Sequence, residues 1–469
     1  MDDQKEPVAA GPDLLVALDR ISGATLHEQL ELGLRESVRS GRLAPGARLP
    51  SSRALATELG VSRGVVLEAY AQLTAEGYLT SSQGAPTRVA STTSIERPPV
   101  PAGSLSQTHE LDFAPGMSDL AAFPRDAWMR SLRSAMRAAP FRSLGGSDPR
   151  GAPELRNELM GYLSRARAAA PEPEHTVICA GFTQGFAVLC RSLRDRGVER
   201  IALEDPGWSR HRLIAERAGV APVPVAVDEL GLDVDALAAT GCEVVVVTPA
   251  HQFPTGAVLA SERRGELLEW AEETDGLIVE DDYDSELRYD RVAVGALQGL
   301  APERVCHIGS ASKRLAPGVG LGWMLSPSWL TGALTLEKGL ADGGSPVLDQ
   351  LALADFIARG ELERHLRRMR LRYRERRDAL SEALARWLPE TQVRGVAAGL
   401  FVLARLPDAV DEEALVSAAA ARGVGVEGLS WHRALAGGPP GLVLGFANLS
   451  RGAIDRGVAE LGRALEMAV

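Results

Sequence analysis

A stretch rich in serine, threonine and proline divides this chain into two parts of different texture. It runs from Ser91 to about Thr108, reads STTSIERPPVPAGSLSQT and contains few apolar residues, which is typical of a linker. At 469 residues, the chain is too long for one ordinary hydrophobic core. We therefore predict an N-terminal domain over residues 1–90, a linker over 91–108 and a large domain over 109–469. As a random coil, this linker would span on the order of 20–25 Å.

Charge is distributed unevenly between these parts. The whole chain has a formal net charge of −11, which by itself argues against binding to nucleic acid. The segment from Arg20 to Ala90, in contrast, contains eight basic and six acidic residues, a net charge of +2. A small basic module attached to an acidic body makes the N-terminal domain the candidate for nucleic-acid binding.

The sequence also restricts the compartment in which the protein works. No apolar run approaches the roughly 18–20 residues needed to cross a bilayer, and the acidic, polar start Met1-Asp2-Asp3-Gln4 is unlike a secretory signal. The four cysteines are scattered and form no C-x-x-C pair, which argues against a disulfide framework or a zinc site. We expect a cytoplasmic protein that contacts no membrane and binds no metal.

Three short helices are predicted in the N-terminal domain. Apolar residues at helical spacing line the first one, namely Leu26, Leu30, Leu34 and Val38. Gly41 ends this helix, and Ser51 or Ser52 caps the second. Gly60 closes the second helix, since the position after a helix favours a residue that adopts positive φ, and Ser62 caps the third.

A wing follows the third helix and completes a DNA-binding pattern. The segment from Gly77 to Val89, with Gly84 at its turn, predicts two short strands. Two helices joined by a tight turn are typical of a helix-turn-helix, whose second helix enters the major groove while flanking groups hold phosphates. The alternative is a plain three-helix subdomain with surface arginines. The residues predicted to bind DNA are Arg48, Ser51, Ser52, Arg53, Ser62, Arg63, Gly64, Tyr70 and Gly84.

The run PGARLPSSRALATELGVSRGVVLEAYAQLTAEGYL strengthens the DNA-binding interpretation. It resembles the GntR family of winged-helix regulators over almost the whole module. The sequence departs from that family at Gly64-Val65, where Thr or Pro is usual near the start of the recognition helix. This departure concerns the base preference rather than DNA binding itself. The resemblance implies a bacterial, nucleoid-associated protein whose partner is a double-stranded DNA operator.

The large domain alternates apolar β runs with helical patterns, which predicts a parallel α/β sheet. The runs are Ile201–Leu203, Val244–Thr248, Leu277–Glu280 and Val305–Ile308. Near the end of the chain, Gly360–Trp387 reads as a long amphipathic helix rich in arginine and glutamate. We interpret its charge run as a solvated helix face rather than a binding patch.

The most informative residue is Lys313, in the segment GSASKRLAPG. A lone lysine in a loop is usually a solvated charge, but this one follows the Val305–Ile308 run. The Leu277–Glu280 run leads similarly into Asp281 and Tyr283. Both segments therefore lie at carboxyl ends of predicted strands, where α/β sheets place ligands.

Pyridoxal phosphate requires groups of these types. A lysine forms the Schiff base, a carboxylate pairs with the protonated ring nitrogen, and a hydroxyl tunes the phenolic oxygen. Lys313, Asp281 and Tyr283 fit these roles. A glycine-rich turn before a helix supplies backbone N–H groups for the phosphate, at Phe182 and Thr183. Two further residues complete the predicted cofactor site: Ser310 with a hydroxyl for the phosphate, and Trp208 stacked on the ring.

A second resemblance covers the stretch from about Leu111 to Val469. The runs FAPGMSDLAAFPRDAW, EDPGW, TPAHQFPTG, VEDDYDSELRY and GSASKRLAPG resemble fold type I aminotransferases, most closely the MocR branch of GntR regulators. The fold class is thus identified as a winged helix-turn-helix fused to an α/β PLP-dependent transferase domain. The resemblance implies that Lys313 carries the internal aldimine and that His251 and Gln252 line the ring. It also implies a homodimer, domain-swapped and head-to-tail. The two DNA modules of a dimer would meet two half-sites, or direct repeats if the dimer is head-to-tail.

Two residues depart from this family. Gly320 stands where an arginine usually helps to clamp phosphate, and the neighbouring Arg314 is a candidate substitute. Val443 stands where aminotransferases often have an arginine for the substrate carboxylate. Arg210, two residues after Trp208, is a candidate carboxylate clamp, the alternative being an ordinary surface residue.

Three functions fit these features. In the first, pyridoxal phosphate, alone or as an external aldimine with an amine or amino acid, shifts the large domain between states and repositions the DNA modules. The second is an active aminotransferase with an incidental DNA-binding domain. The third is a DNA-binding protein whose large domain has lost the cofactor and serves for dimerisation.

The residues favour the first function. Lys313, Asp281 and Tyr283 oppose a lost cofactor, while Val443 and the fused winged helix oppose catalysis. We therefore predict a transcription regulator rather than an enzyme. By resemblance, the regulated genes would serve pyridoxal phosphate synthesis or the metabolism of amines and amino acids.

Overall fold

The computed structural model describes residues 18–20, 23–82, 85–90, 109–145, 148–289, 294–395 and 397–468. The chain divides into two compact units, Met1–Leu105 and Ser106–Val469. The predicted linker over 91–108 and Gly84 of the predicted wing lie outside the described residues, so the predicted domain limits stay predictions. Within the described ranges, no helix is long and apolar enough to cross a membrane.

The N-terminal unit folds as the sequence predicts. Its elements are α1 (Leu26–Arg39), α2 (Ser52–Leu59), α3 (Arg63–Ala75), β1 (Leu79–Thr80) and β2 (Arg88–Val89). Leu30 and Leu34 of α1 are fully buried, in one core with Val66 and Leu73 of α3. The strands β1 and β2 pair in antiparallel fashion, with Leu79 opposite Val89. The arrangement is a winged helix-turn-helix.

Local capping fixes the boundaries of α2 and α3. Ser51 Oγ accepts a hydrogen bond from the backbone N–H of Ala54 at 3.2 Å, and Ser62 Oγ accepts one from Val65 at 3.4 Å. Such caps are worth about 1 kcal/mol each. Gly60 ends α2 at φ 63°, in the left-handed region that glycine occupies without strain. The turn between the two helices is therefore determined by three residues that the sequence already singles out.

The structure does not support Tyr70 as a DNA contact. Its ring is buried in the core of the module with 7% exposure, and its hydroxyl donates a hydrogen bond to the carbonyl of Pro50 at 3.0 Å. Burial raises the pKa of this hydroxyl well above its ordinary value. Tyr70 packs α3 against the segment that precedes α2, so its place in the helical stripe reflects the core.

We expect Tyr70→Phe to lower the free energy of unfolding by about 0.5–1.5 kcal/mol, because one intramolecular hydrogen bond is lost. Operator affinity should stay unchanged, since the hydroxyl faces Pro50. Thermal unfolding and operator titration of the same preparation measure the two effects. A fall in operator affinity without a loss of stability would restore Tyr70 as a DNA contact.

The second unit contains the remaining elements of the described chain. Its helices are α4 (Arg125–Ala138), α5 (Pro153–Arg167), α6 (Phe182–Asp195), α7 (Ser209–Arg217), α8 (Val234–Thr240), α9 (Ser261–Glu273), α10 (Ala311–Arg314), α11 (Ser328–Asp342), α12 (Val347–Ala358), α13 (Glu361–Trp387), α14 (Glu412–Ala421) and α15 (Arg451–Ala468). Its strands are β3 (Leu111–Asp112), β4 (Thr176–Cys179), β5 (Arg200–Asp205), β6 (Ala221–Asp228), β7 (Gly231–Leu232), β8 (Val244–Val247), β9 (Leu277–Asp282), β10 (Val305–Ser310), β11 (Gly322–Leu325), β12 (Gln392–Arg394), β13 (Phe401–Arg405), β14 (Val424–Gly425), β15 (Glu427–Gly428) and β16 (Gly441–Gly445).

The main sheet of this unit has eight strands, in the order β4-β11-β10-β9-β8-β5-β6-β7. The strands β10, β9, β8, β5 and β6 run parallel to their neighbours in this series, which confirms the predicted parallel sheet. The strand β11 runs antiparallel to both β10 and β4. The segment between β10 and β11 is too short for a parallel crossover, so the chain turns back beside β10.

A smaller sheet, in the order β12-β13-β16-β15, forms the C-terminal part of this unit. The predicted long helix is present as α13, with Leu362, Leu366 and Met369 buried. Arg364, Arg367 and Arg368 point outward and are exposed. The helix is therefore amphipathic as predicted, with its apolar stripe in the core of the unit.

Candidate functional site

The ends of β9 and β10 bring the predicted cofactor residues together. In their parallel register, Ile308 lies opposite Asp281, and Gly309 lies opposite Asp282. Asp281 therefore stands at the same edge of the sheet from which Ser310 and Lys313 leave β10. The carboxyl edge of a parallel sheet is where such folds place ligands.

Lys313 lies in the short helix α10 and is largely removed from solvent. Its Nζ donates a hydrogen bond to the carbonyl of Gly116. Burial lowers the pKa of Lys313 below its ordinary value, and the charge of Arg210 lowers it further, against the opposing effect of Asp284 and Asp281. A lowered pKa increases the fraction of neutral amine, which is the nucleophilic form.

Lysine is also scarce in this protein. The chain contains only three lysines, Lys5, Lys313 and Lys338, among 51 basic residues. Lys338 is fully buried, and its Nζ donates to Asp342 at 2.6 Å and to Ser345 at 3.0 Å. Lys5 lies outside the described residues. Among the described lysines, Lys313 is thus the one whose amine lies at a strand-end site.

Asp281 is a buried carboxylate with one oxygen still available. His211 Nε2 lies 3.2 Å from its Oδ2, whereas its buried Oδ1 has no hydrogen-bond partner among the described residues. Burial raises the pKa of Asp281, and the hydrogen bond and charge of His211 oppose that rise. A buried oxygen without a partner is costly unless a donor approaches it. The site therefore suits a ligand that presents an N–H group or a cation to Asp281.

His211 is a site residue that the sequence reasoning missed. It is 5% exposed, and its ring lies edge-on to Trp208, with the ring centroids 5.1 Å apart. Phe182 packs against both, at 5.2 Å from His211 and 5.9 Å from Trp208. The available signal was spacing, because His211 follows Trp208 by three positions and thus shares its face of α7.

The predicted phosphate cradle is formed by the start of α6 and by the start of α10. Gly181 has φ 87°, and a Cβ at this position would lie 3.6 Å from Ser310 Oγ and 3.8 Å from Ser312 Oγ. The first N–H groups of α6, at Phe182 and Thr183, therefore begin close to two serine hydroxyls. Free N–H groups at a helix N-terminus together with hydroxyls suit an anion. Ser312 is a second residue that the sequence reasoning missed.

Tyr283 and His251 belong to one hydrogen-bonded group. Tyr283 Oη donates to the carbonyl of His251 at 2.7 Å, and His251 Nδ1 lies 2.9 Å from Asp284 Oδ2. The ring of Phe401 stacks on His251 at 4.8 Å. Burial and the nearby carboxylates raise the pKa of Tyr283 well above its ordinary value, so its hydroxyl stays protonated. Asp284, which orients His251, was also missed.

The side-chain amide of Gln252 is hydrogen-bonded within the protein and is not free to contact a ligand. Its Nε2 donates to the carbonyls of Pro206 at 2.9 Å and Phe253 at 2.7 Å, and its Oε1 accepts from Thr255. Gln252 also reaches the buried Glu204, whose pKa burial raises to about 7. Because its amide is used in holding this turn, the structure does not support Gln252 as a ring contact.

Arg314 does not replace the arginine absent at Gly320. Its buried guanidinium pairs with Glu286, donates to the carbonyl of Ser310 at 2.6 Å and lies 5.2 Å from the centroid of Trp323. The suggested substitution is therefore wrong, since these groups hold the side chain inside the unit. Gly320 itself has φ 60° and open space around it.

Val443, the second departure from the family, is buried, whereas Arg210, the candidate carboxylate clamp, is exposed. Val443 is fully buried in an apolar cluster with Phe401, Leu403 and Leu429. Arg210 is exposed, with its Cζ 6.0 Å from the centroid of the Trp208 ring. Arg210 is thus close enough for its charge to lower the pKa of Lys313, and its side chain remains accessible to a ligand.

The winged helix presents most of its predicted DNA-binding residues to solvent. Arg63 Nε donates to Ser52 Oγ at 3.2 Å, which fixes the arginine beside the start of α2. Gly64 adds no side chain at the start of α3. The predicted residues that are exposed are Arg48, Ser51, Arg53, Ser62, Arg63 and Gly64. Together they form one polar, basic surface at the N-termini of α2 and α3.

Comparison with known proteins matches both units. Residues 119–459 match the family of class I and II aminotransferases, and residues 26–89 match the bacterial regulatory proteins of the gntR family. The HTH-type pyridoxine biosynthesis transcriptional regulator PdxR of Corynebacterium glutamicum is 34% identical, over 97% of this chain and 99% of that protein. The probable rhizopine catabolism regulatory protein MocR of Rhizobium meliloti is 32% identical, over 95% of each chain.

Solved structures resemble the second unit. An archaeal alanine:glyoxylate aminotransferase has a TM-score of 0.70 and 27% identity, over 76% of this chain and 91% of that one. The α-aminoadipate aminotransferase LysN of Thermus thermophilus, complexed with N-(5'-phosphopyridoxyl)-L-leucine, has a TM-score of 0.69 and 27% identity, over 76% and 92% of the two chains.

A winged helix joined to an aminotransferase-fold unit defines a class of DNA-binding transcription regulators built on an enzyme fold. The chain belongs to this class as a member of the MocR-type GntR regulators. The predicted fold class and family are thereby confirmed, and so is the prediction of a regulator.

Proposed function

We propose that the second unit holds pyridoxal phosphate on Lys313 and that occupancy of this site alters operator binding by the winged helix. The observation that carries the proposal is the buried Asp281 Oδ1 without a partner, at the strand edge that also presents Lys313. When bound, the cofactor supplies an aldehyde that condenses with amines and a ring that withdraws electrons. LysN, which shares the fold, is complexed with a phosphopyridoxyl compound.

Each of these residues would contact a different part of the cofactor, according to its chemistry. Lys313 would supply the attachment amine, Asp281 would pair with the ring nitrogen, and His211 orients Asp281. Tyr283 would donate to the phenolic oxygen in place of the His251 carbonyl, which now accepts its hydroxyl hydrogen, and Trp208 would face the ring. The phosphate would lie at the cradle formed by Phe182, Thr183, Ser310 and Ser312. His251 would act indirectly, by holding Tyr283.

We expect Asp281→Asn to weaken binding of pyridoxal phosphate by about 10- to 150-fold, since a hydrogen bond to a charged group is worth about 1.5–3 kcal/mol. The neutral amide cannot stabilise a protonated ring nitrogen, so the absorption spectrum of the remaining complex should change as well. Spectral titration measures both effects. Asp233→Asn, at the cap of the remote helix α8, is the matched control, and an Asp281→Asn titration identical to that of the wild type would contradict the assignment.

Borohydride reduction provides a direct test of the attachment residue. Because only three lysines exist in the chain, reduction followed by peptide mass spectrometry should place the phosphopyridoxyl group on the peptide that contains Lys313. Burial lowers the pKa of Lys313, so a larger fraction of its amine is neutral and nucleophilic than in a solvated lysine. Label on Lys5 or Lys338 would contradict the proposal.

The proposed signal is the cofactor, alone or joined to an amine or amino acid. Arg210 is the candidate clamp for an effector carboxylate, because it is exposed beside Trp208. Val443 leaves the usual clamp position apolar, which favours effectors that do not depend on an arginine there. The name of the Corynebacterium glutamicum relative supports genes of pyridoxine biosynthesis as targets, and that of the Rhizobium meliloti relative supports catabolic genes.

Catalysis is the second candidate function, because the aminotransferase fold and Lys313 are both present. We propose that the unit senses a ligand and does not turn over a substrate, because Val443 stands where aminotransferases usually have an arginine. Incubation with amino donors and keto acids should give less than one product per bound cofactor. Sustained turnover, removed by Lys313→Ala, would identify an active aminotransferase.

We further propose a homodimer that works in the cytoplasm, with two winged helices on two half-sites of an operator. A head-to-tail, domain-swapped arrangement is the form expected from the fold type. Analytical ultracentrifugation measures the state of assembly, and a monomer at micromolar concentration would contradict it.

A further inference from the structure

A cavity of about 670 Å³ lies between the main sheet and the smaller C-terminal sheet of the second unit. On the side of the main sheet, the lining consists of Val227–Glu229, at the end of β6, and of Thr255–Val258, in the loop that follows β8. The smaller sheet contributes Arg394, Leu403 and Arg405, and the segment after β15 contributes Leu429 and Arg433. None of the proposed cofactor contacts lines it. Its volume lies in the range typical of small-molecule sites.

One wall of this cavity is apolar. Leu403 and Leu429 line it and belong to the same cluster as Phe401 and Val443, against which Tyr283 packs. Val258 is a further apolar residue of the lining. The cavity and the cofactor site are therefore distinct spaces that contact a common apolar cluster.

The charged lining consists of three arginines and two carboxylates, Asp228 and Glu229, and one of the arginines lacks an acidic partner among the described residues. Asp228 is neutralised by Arg263 at 2.7 Å. Arg394 pairs with Glu229 at 3.2 Å, and Arg405 with Asp408 at 3.4 Å. Arg433 donates to the carbonyl of Pro439 at 2.6 Å, and it forms no ion pair with any described residue. Burial lowers the pKa of Arg433, against the opposing charges of Glu412 and Asp205. Arg433 is half-buried, and its remaining N–H donors can serve an anion that enters the cavity.

We infer that this cavity binds a small organic carboxylate with an apolar body. A guanidinium holds a carboxylate through two parallel hydrogen bonds, and Arg433 is the group available for it. A single negative charge matches the one unpaired arginine, whereas a phosphate dianion would leave excess charge. The apolar body would lie against Leu403, Leu429 and Val258.

Such a ligand would contact both sheets at once. Arg433 and Leu403 belong to the C-terminal part of the unit, and Val258 to the loop that follows β8. The ligand would therefore favour arrangements in which these two parts lie close together. This second site does not depend on the cofactor, and it gives the protein an input separate from Lys313.

The test uses the full-length protein, titrated calorimetrically with 3-phenylpropionate and with the neutral 3-phenylpropanamide. The wild type should bind the carboxylate at least tenfold more tightly than the amide. Arg433→Gln should lower carboxylate affinity at least tenfold and remove the preference. Val258→Glu, at a half-buried wall position, should lower it as well, because it adds a negative charge.

Two controls separate this site from its surroundings. Arg456→Gln removes an exposed arginine outside the cavity and should leave the affinity unchanged. Lys313→Ala should also leave it unchanged, because the cofactor site is a different space. Equal binding of acid and amide, absence of carboxylate binding, or loss of binding in Lys313→Ala would each overturn the inference. If Arg433→Gln does not fold, wild-type affinity in Val258→Glu would overturn it instead.

Discussion

Lys313→Ala should abolish the absorption band of lysine-linked pyridoxal phosphate in the purified protein. The loss of this band should be complete, because it arises from covalent attachment and Lys313 is the one described lysine whose amine lies at the strand-end site. The amine is prepared for this role by burial, which lowers its pKa. Absorption spectroscopy of protein freed from excess cofactor measures the loss.

Lys313→Arg is the matched control for this experiment. It keeps a positive charge near Asp281 and Asp284 but cannot form the bond, so it should lack this absorption band, as Lys313→Ala does. Thermal unfolding should show that both variants keep the fold, since Lys313 contributes one hydrogen bond, to Gly116. A visible band of wild-type intensity in either variant would refute the assignment.

Arg63→Ala should weaken operator binding by about 1–3 kcal/mol, or about 5- to 150-fold. Arg63 is exposed at the first position of the recognition helix α3, and its bond to Ser52 Oγ aligns it at the N-terminus of α2. The spectrum with pyridoxal phosphate should not change. Operator titration at fixed salt measures the effect, because phosphate contacts make affinity strongly salt-dependent.

Arg42→Ala provides the comparison for Arg63→Ala. Arg42 is also exposed in the winged helix, but it lies before α2 rather than on α3. Both variants lose one positive charge, so a specific contact should make Arg63→Ala much the weaker binder. Equal, small losses in the two variants would indicate general electrostatic attraction instead of a contact by Arg63.

The sequence predicts the winged helix almost completely, because its boundaries depend on local chemistry. Ser51, Gly60 and Ser62 form caps with residues only a few positions away. Tyr70 was misassigned because a helical stripe indicates a face but not whether that face meets the core or DNA. Its contact with Pro50 spans 20 positions, which spacing alone does not reveal.

In the large unit, the sequence predicts which residues lie at the ends of strands, but it does not predict which other side chains those residues contact. The sequence predicts that Asp281 and Lys313 lie at one edge of the sheet, because parallel strands deliver their ends to the same edge. His211 meets Asp281 across 70 positions, and Arg314 turns inward because Glu286 and Trp323 receive it. Such pairings arise from tertiary packing, so the sequence shows the residue types but not their partners.

We expect cofactor binding in the second unit to change DNA binding by the winged helix. The measurement is operator affinity while pyridoxal phosphate is titrated, on a DNA fragment that the protein itself selects from a random library. The wild type should change its operator affinity by about 5- to 150-fold, the usual range of coupling between sites, and Lys313→Ala should not respond. An operator affinity that is independent of pyridoxal phosphate in the wild type, or an equal response in Lys313→Ala, would contradict the account.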